Sequence, residues 1–145
     1  MFGSLDEKSG SSFMRVLPES ECYSLLAVAI VGRVGFVSPA GVQILPIDYR
    51  LGTDHRLFMN TSPDGQIAQL AQAAAPVAFE VDYHGADFVL AWSVLMNGTL
   101  RFLDAEAAEA YANLRLPPVP WPGFADAVTL QFIPETVSGR GLHRH

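Results

Sequence analysis

A chain of 145 residues, half of them apolar and only 17% charged, is long enough to bury the core of a single domain. Its net charge of −6 and pI near 5.0 give no basic face for nucleic acid, and its longest apolar run, Leu25 to Val31, falls far short of the ~20 residues that span a bilayer. The one cysteine, Cys22, excludes an internal disulfide and fits the cytoplasm.

Residues 1–14 are polar and acid-bearing and read as a disordered lead-in, without the basic start and apolar stretch of a secretory signal. "LPESECYSLLAVA" predicts a short helix: Pro18 suits its first turn, Glu19 and Glu21 suit its positive end, and Cys22, Leu25, Leu26 and Ala29 share a face. Cys22 therefore reads as a core residue rather than a nucleophile. "IVGRVGFVS" is rich in β-formers and predicts a strand. "SPAG" is a tight turn, and "VQILPIDYR" is the second arm of a hairpin, with Leu45, Ile47 and Tyr49 on one face. Pro46 cannot donate to a ladder and so marks an edge or an interruption.

"RLFMN" predicts a third strand, "TSPDG" a turn, and the stretch from Gly65 to Ala73 a helix with Ile67, Leu70, Ala71 and Ala74 as its buried stripe. "APVAFEVDYH" alternates, with Val77, Phe79, Val81 and Tyr83 on one face and Ala78, Glu80 and Asp82 on the other. Glu80 and Asp82 read first as a solvated strand face and second as an acid–base pair. "FVLAWSVLMNGTLRFL" is a long strand with Leu90, Trp92, Val94 and Met96 facing one way and Gly98 marking a bulge or a close backbone approach. "DAEAAEAYANL" is a helix capped by Asp104, "PPVPWPG" is a stiff connector, and "AVTLQFIPETVSG" is the last strand. Strands joined mostly by short turns, with a few short helices in the connections, point to an antiparallel barrel rather than a doubly wound sheet.

No metal site is expected. His55 and His84 fall in turns, His143 and His145 in the tail, and none has a helical i, i+4 partner. Glycine-rich nucleotide loops and the nucleophile elbow are absent. Read alone, Trp92 is a core residue first and the wall of a flat ligand second, while Trp121 is fixed between prolines.

In order and spacing, "ECYSLLAVAIVGRVGFV", "ILPIDYR", "LFMNTSPDGQIAQLA", "PVAFEVD", "WSVLMNG" and "VSGR" resemble the pyridoxamine 5′-phosphate oxidase-like flavoproteins, the FMN-binding split β-barrel. The resemblance covers roughly 17–140. It implies one split-barrel domain over 15–140, followed by a tail at 141–145, and a homodimer with FMN at the subunit interface. The backbone of Leu45, Pro46, Ile47 and Asp48 would run along the flavin ring. Thr61, Ser62 and the following helix start would receive the phosphate. Trp92 and Ser93 would lie near the cofactor. Arg33, Trp121 and Arg140 match the family's first Gly-Arg, late Trp and final Gly-Arg positions.

The family commonly places Arg and Lys where this chain has Asn60 and Gln66, so two charge-assisted phosphate contacts become neutral. The implied activity is flavin-dependent oxidoreduction of a small molecule, without membrane or nucleic acid. True pyridoxamine phosphate oxidation is disfavoured, because few basic residues remain for a second phosphate. The alternatives are a non-catalytic flavin-binding or cofactor-free dimer, or a deazaflavin or haem binder on the same fold.

Overall fold

Period-two alternation dominates the sequence, and strands follow from it. The computed structural model describes residues 12–85, 90–116 and 127–144. In chain order these form β1 (Ser12–Leu17), α1 (Glu19–Leu26), β2 (Val31–Ser38), β3 (Gly41–Leu51), β4 (Leu57–Thr61), α2 (Gln66–Ala73), β5 (Pro76–His84), β6 (Leu90–Phe102), α3 (Ala105–Ala112) and β7 (Val128–Arg144). Every strand pairing is antiparallel, in the order β1-β7-β4-β3-β2-β5-β6, and β6 pairs back onto β7 so that the sheet closes into a ring. The mainly-β class with short helices in the connections is therefore what the chain adopts.

β7 makes the closure possible. Along one edge it pairs with β6 from Leu130 to His143. On its other side it pairs first with β4, through Val128 to Phe132, and then with β1, through Gly139 to Arg144. The β6–β7 register shifts between Asn97 and Gly98. A Cβ at Gly98 would lie 2.0 Å from the Ile133 carbonyl oxygen, so the anticipated close approach is real and only glycine permits it.

The inward faces meet in one core. Tyr49, Phe79, Phe132, Met59, Met96, Leu130, Val34 and Val81 are fully buried, and Cys22 and Leu26 of α1 join them. Among the described residues no polar or charged side chain is buried. The polar tip of buried Tyr49 is satisfied: its hydroxyl donates to the Leu26 carbonyl at 2.6 Å and ties β3 to α1. Asp104 caps α3 as expected, accepting from the Ala107 N–H at 2.8 Å.

Three boundaries differ from the sequence reading. A strand, β1, occupies Ser12–Leu17, where the lead-in was placed, and β7 continues to Arg144 through the expected tail. The two segments are each other's partners, so neither is visible without the other. Ala74, assigned to the buried stripe of α2, is instead its left-handed C-cap (φ 50°), and Ala68 is buried in its place. No helix among the described residues is long and apolar enough to cross a membrane.

Candidate functional site

β3 changes partners along its length: among the described residues Gly41 to Asp48 pair with β2 alone, and Tyr49, Arg50 and Leu51 pair with Met59, Phe58 and Leu57 of β4. The Tyr49 N–H donates to the Ile30 carbonyl (2.9 Å), on the β2 side. Antiparallel ladders alternate, so Gln43, Leu45 and Ile47 also exchange bonds with β2, while Val42, Ile44, Pro46 and Asp48 turn their main-chain groups to the open side. Pro46 thus removes a donor from an edge, not from a ladder, which resolves the choice between edge and interruption.

The next pair in the β3–β4 ladder would be Asp48 with Asn60. It does not form: β3 follows β2 into the hairpin, and β4 ends at Thr61 and passes into α2. The open edge of β3 lies on one side of this break; on the other, β4 runs through the turn at 62–65 into α2, which packs against β6 and β7. Gly65 is the N-cap of α2 and offers no side chain, and its carbonyl takes the first helical bond from the Gln69 N–H. The N–H groups of Gln66, Ile67 and Ala68 have no acceptor within the helix. An anion is the natural partner for such a terminus. From Asn60 to Gln66 the turn holds no cation, and Asp64 is exposed. Arg56, nearby on the chain, is taken up by Asp54 (2.6 Å) and by Glu106 of α3.

Asn60 has a different role from its place in the family pattern. Its Nδ2 donates to the Tyr111 hydroxyl at 3.1 Å, and its Oδ1 accepts from Thr129 Oγ1 at 2.5 Å. The carboxamide locks α3 and β7 onto the end of β4. Thr61 is half-buried, Ser62 and Gln66 are exposed, and the Ser62 carbonyl closes the turn onto the Gly65 N–H.

The remaining candidates lie elsewhere. Trp92 is 5% exposed and belongs to the core, with Tyr83 stacked at 6.3 Å. Ser93 points to the outer face, between Asp82 on β5 and Arg140 on β7. Arg33 sits on that face too, with Nη1 bonded to Glu80 (2.9 Å) and Asp82 (3.2 Å). Trp121 lies outside the described residues. The expected shell thus falls into two groups: Leu45–Asp48, Asn60, Thr61, Ser62 and Gln66 at the split, and Arg33, Ser93 and Arg140 on the outer face. Tyr111 and Thr129 were missed, since nothing local marks a partner 51 or 69 residues away.

A closed antiparallel ring that parts between two consecutive strands, with a helix start at the parting, defines the split-barrel class. The chain belongs to the pyridoxamine 5′-phosphate oxidase family, whose model matches residues 18–141. Solved structures with the same fold include the FAD binding protein from Mycobacterium smegmatis (TM-score 0.73, 23% identity, covering 88% of this chain and 98% of that one). Another is an FAD-binding protein from Mesorhizobium loti (TM-score 0.69, 25% identity, 88% and 97%). A third is the FAD and heme binding protein from Mycobacterium smegmatis (TM-score 0.64, 17% identity, 87% and 71%). No curated protein matches the sequence.

Proposed function

We propose that the chain binds a flavin at the split between β3 and β4, in the form of FMN, and works as a homodimeric flavin-dependent oxidoreductase on a small molecule. One pattern carries this reading: the β3–β4 ladder stops after Tyr49–Met59, leaving an unpaired edge along β3 on one side and, five residues beyond the end of β4, an uncapped helix start on the other. The main-chain groups of Ile44, Pro46 and Asp48 suit the polar rim of the isoalloxazine ring, and the N–H groups at Gln66–Ala68 suit its phosphate, with Thr61 and Ser62 beside them. A bound flavin supplies the electron-transfer chemistry. The residues of this chain hold and orient it.

The neighbours named as FAD-binding support flavin in general. The neutral turn gives FMN, with its dianionic terminal phosphate, less help than the family's usual Arg and Lys do. FAD carries its charge on a pyrophosphate bridge, one negative charge on each phosphorus, and is the form to compare. The dimer is supported by the outer face, where Val37, Val42 and Ile44 are exposed as neighbours on β2 and β3 and Leu95 is exposed two strands further on, on β6. A stable pairing there would bury more than about 1,000 Å². Arg33, Ser93 and Arg140 lie on the same face, from which a partner would present them to the cofactor.

The test is the visible spectrum of freshly purified protein, followed by titration with FMN, FAD and riboflavin. The two-banded spectrum of oxidised flavin, or tight uptake of FMN or FAD, is the expected result. A colourless protein that takes up none of the three overturns the reading. A Soret band points instead to haem, the second reading, which is favoured by the neighbour named as binding both FAD and heme.

A further inference from the structure

The outer face of β2, β3, β5 and β6 holds one charged cluster in an apolar surround. Arg33 Nη1 donates to Glu80 Oε1 at 2.9 Å and to Asp82 Oδ2 at 3.2 Å, so one guanidinium serves two carboxylates. Across β6, Leu95 lies opposite Glu80 and Ser93 opposite Asp82, and neither is titratable. Beyond β6, Arg140 of β7 lies opposite Ser93; on the other side Asp48 of β3 lies opposite Val31 of β2. Among the described residues, Arg33, Arg140 and Asp48 are therefore the charged groups facing the pair from neighbouring strands. Val37, Val42 and Ile44 extend the face with exposed apolar side chains.

The Arg33–Glu80–Asp82 cluster carries one net negative charge when both acids are ionised. Burial, seconded by the hydrogen bond and charge of Asp82, pushes the Glu80 carboxyl up to about 7, against the pull of Arg33.

We propose that association of two copies through this face takes up a proton at Glu80 of each copy, where Arg33 is shared with Asp82, so that the dimer tightens in mildly acid solution. The inference rests on the dimer reading given above. Covering the face strips water from a net negative cluster, and a twofold interface presents that cluster from both sides. Protonation removes the penalty on each side. The sign follows by linkage. Below the monomer's titration Glu80 already holds its proton, and association is pH-independent. Above it, each protomer must draw one proton from solution, and the dimer weakens by up to about tenfold per protomer for each pH unit.

The experiment is fluorescence-detected sedimentation of the full chain, as purified, from nanomolar to micromolar concentration at pH 6.5 and 8.5. The wild-type dimer dissociation constant should be at least ~10-fold higher at pH 8.5. Glu80→Gln, which keeps the shape and removes the titration, should dimerise with a pH ratio within about twofold, and Asp82→Asn should flatten the ratio in the same way. A wild-type dimer indifferent to pH, or both variants keeping the wild-type ratio, overturns the proton uptake while leaving the dimer intact. Ile44→Asp tests the face itself: loss of the dimer at both pH values is expected. A dimer that survives Ile44→Asp puts the interface elsewhere, and a wild-type chain monomeric throughout removes the dimer and the proton linkage together.

Discussion

β3 is one strand with two environments. At Tyr49 it is paired on both sides, the side chain is 1% exposed, the phenol bonds to α1, and Phe79 meets the ring edge-on at 5.3 Å. Five residues earlier, Ile44 is 65% exposed and paired on one side only. The same period-two pattern runs through both halves, so the difference comes not from composition but from where β4 leaves. The half that is clamped maintains the ring. The half that is released keeps donors, acceptors and apolar surface in reserve, and a fold that wastes that much strand edge ordinarily gives it to a ligand or a partner.

The sharpest way to break this contrast is by truncation in each half. Tyr49→Ala removes a buried ring and its bond to Leu26 and should cost ~3–5 kcal/mol in denaturant unfolding, enough to threaten folding of the domain. Ile44→Ala, measured at low protein concentration, should stay within about 0.5 kcal/mol of the wild type. Similar losses at the two positions would mean that the released half is part of the structural core after all.

A smaller effect divides the turn that faces this edge. Asn60 spends its carboxamide on Tyr111 and Thr129, whereas Ser62 presents its side chain to solvent. Asn60→Ala strands two partly buried hydroxyl partners and should cost roughly 1–2 kcal/mol of stability. Ser62→Ala should cost almost none, but should weaken flavin phosphate binding in the same titration that tests the proposed function. If Asn60→Ala leaves the melting curve unchanged, the carboxamide is free to serve a ligand and the division drawn here is wrong.

The strands, helices and caps were legible because their signals are local. Alternation in "PVAFEVDYH" gave the faces of β5, Asp104 announced α3, and Gly98 announced the bulge. What was illegible depends on partners far along the chain. "SFMRVL" becomes strand only because the end of β7 pairs with it, and that end looked like a basic tail for the same reason. The site divides likewise. Pro46 and the "TSPDG" turn marked the split from sequence, but the loss of Asn60 to structure needed Tyr111 on α3 and Thr129 on β7. The ion pairs of Arg33 were illegible too, because nothing near it in sequence reveals Glu80 and Asp82, brought opposite by the β2–β5 pairing.

The finest test concerns Gln66, where the released edge and the helix start come nearest in function. Gln66 is the first residue of α2 and is exposed, two residues after Asp64, whose charge makes the turn less welcoming to phosphate. If the phosphate of FMN lies on this helix start, Gln66→Lys sets a cation beside a dianion. The helix N-terminus opposes a lysine by roughly 0.3–1 kcal/mol. A hydrogen bond to a charged group contributes roughly 1.5–3 kcal/mol and should prevail. The net expectation is FMN binding tighter by about 1 kcal/mol, roughly fivefold, in calorimetry at low salt. Riboflavin, which lacks the phosphate, should gain nothing, and the FMN advantage should shrink as salt is added. FAD should gain less than FMN, because the phosphate nearest its ring is part of a pyrophosphate and carries one negative charge instead of two. An equal gain for riboflavin would move the effect off the phosphate, and no gain for any ligand would leave "NTSPDGQ" as a turn that only connects β4 to α2.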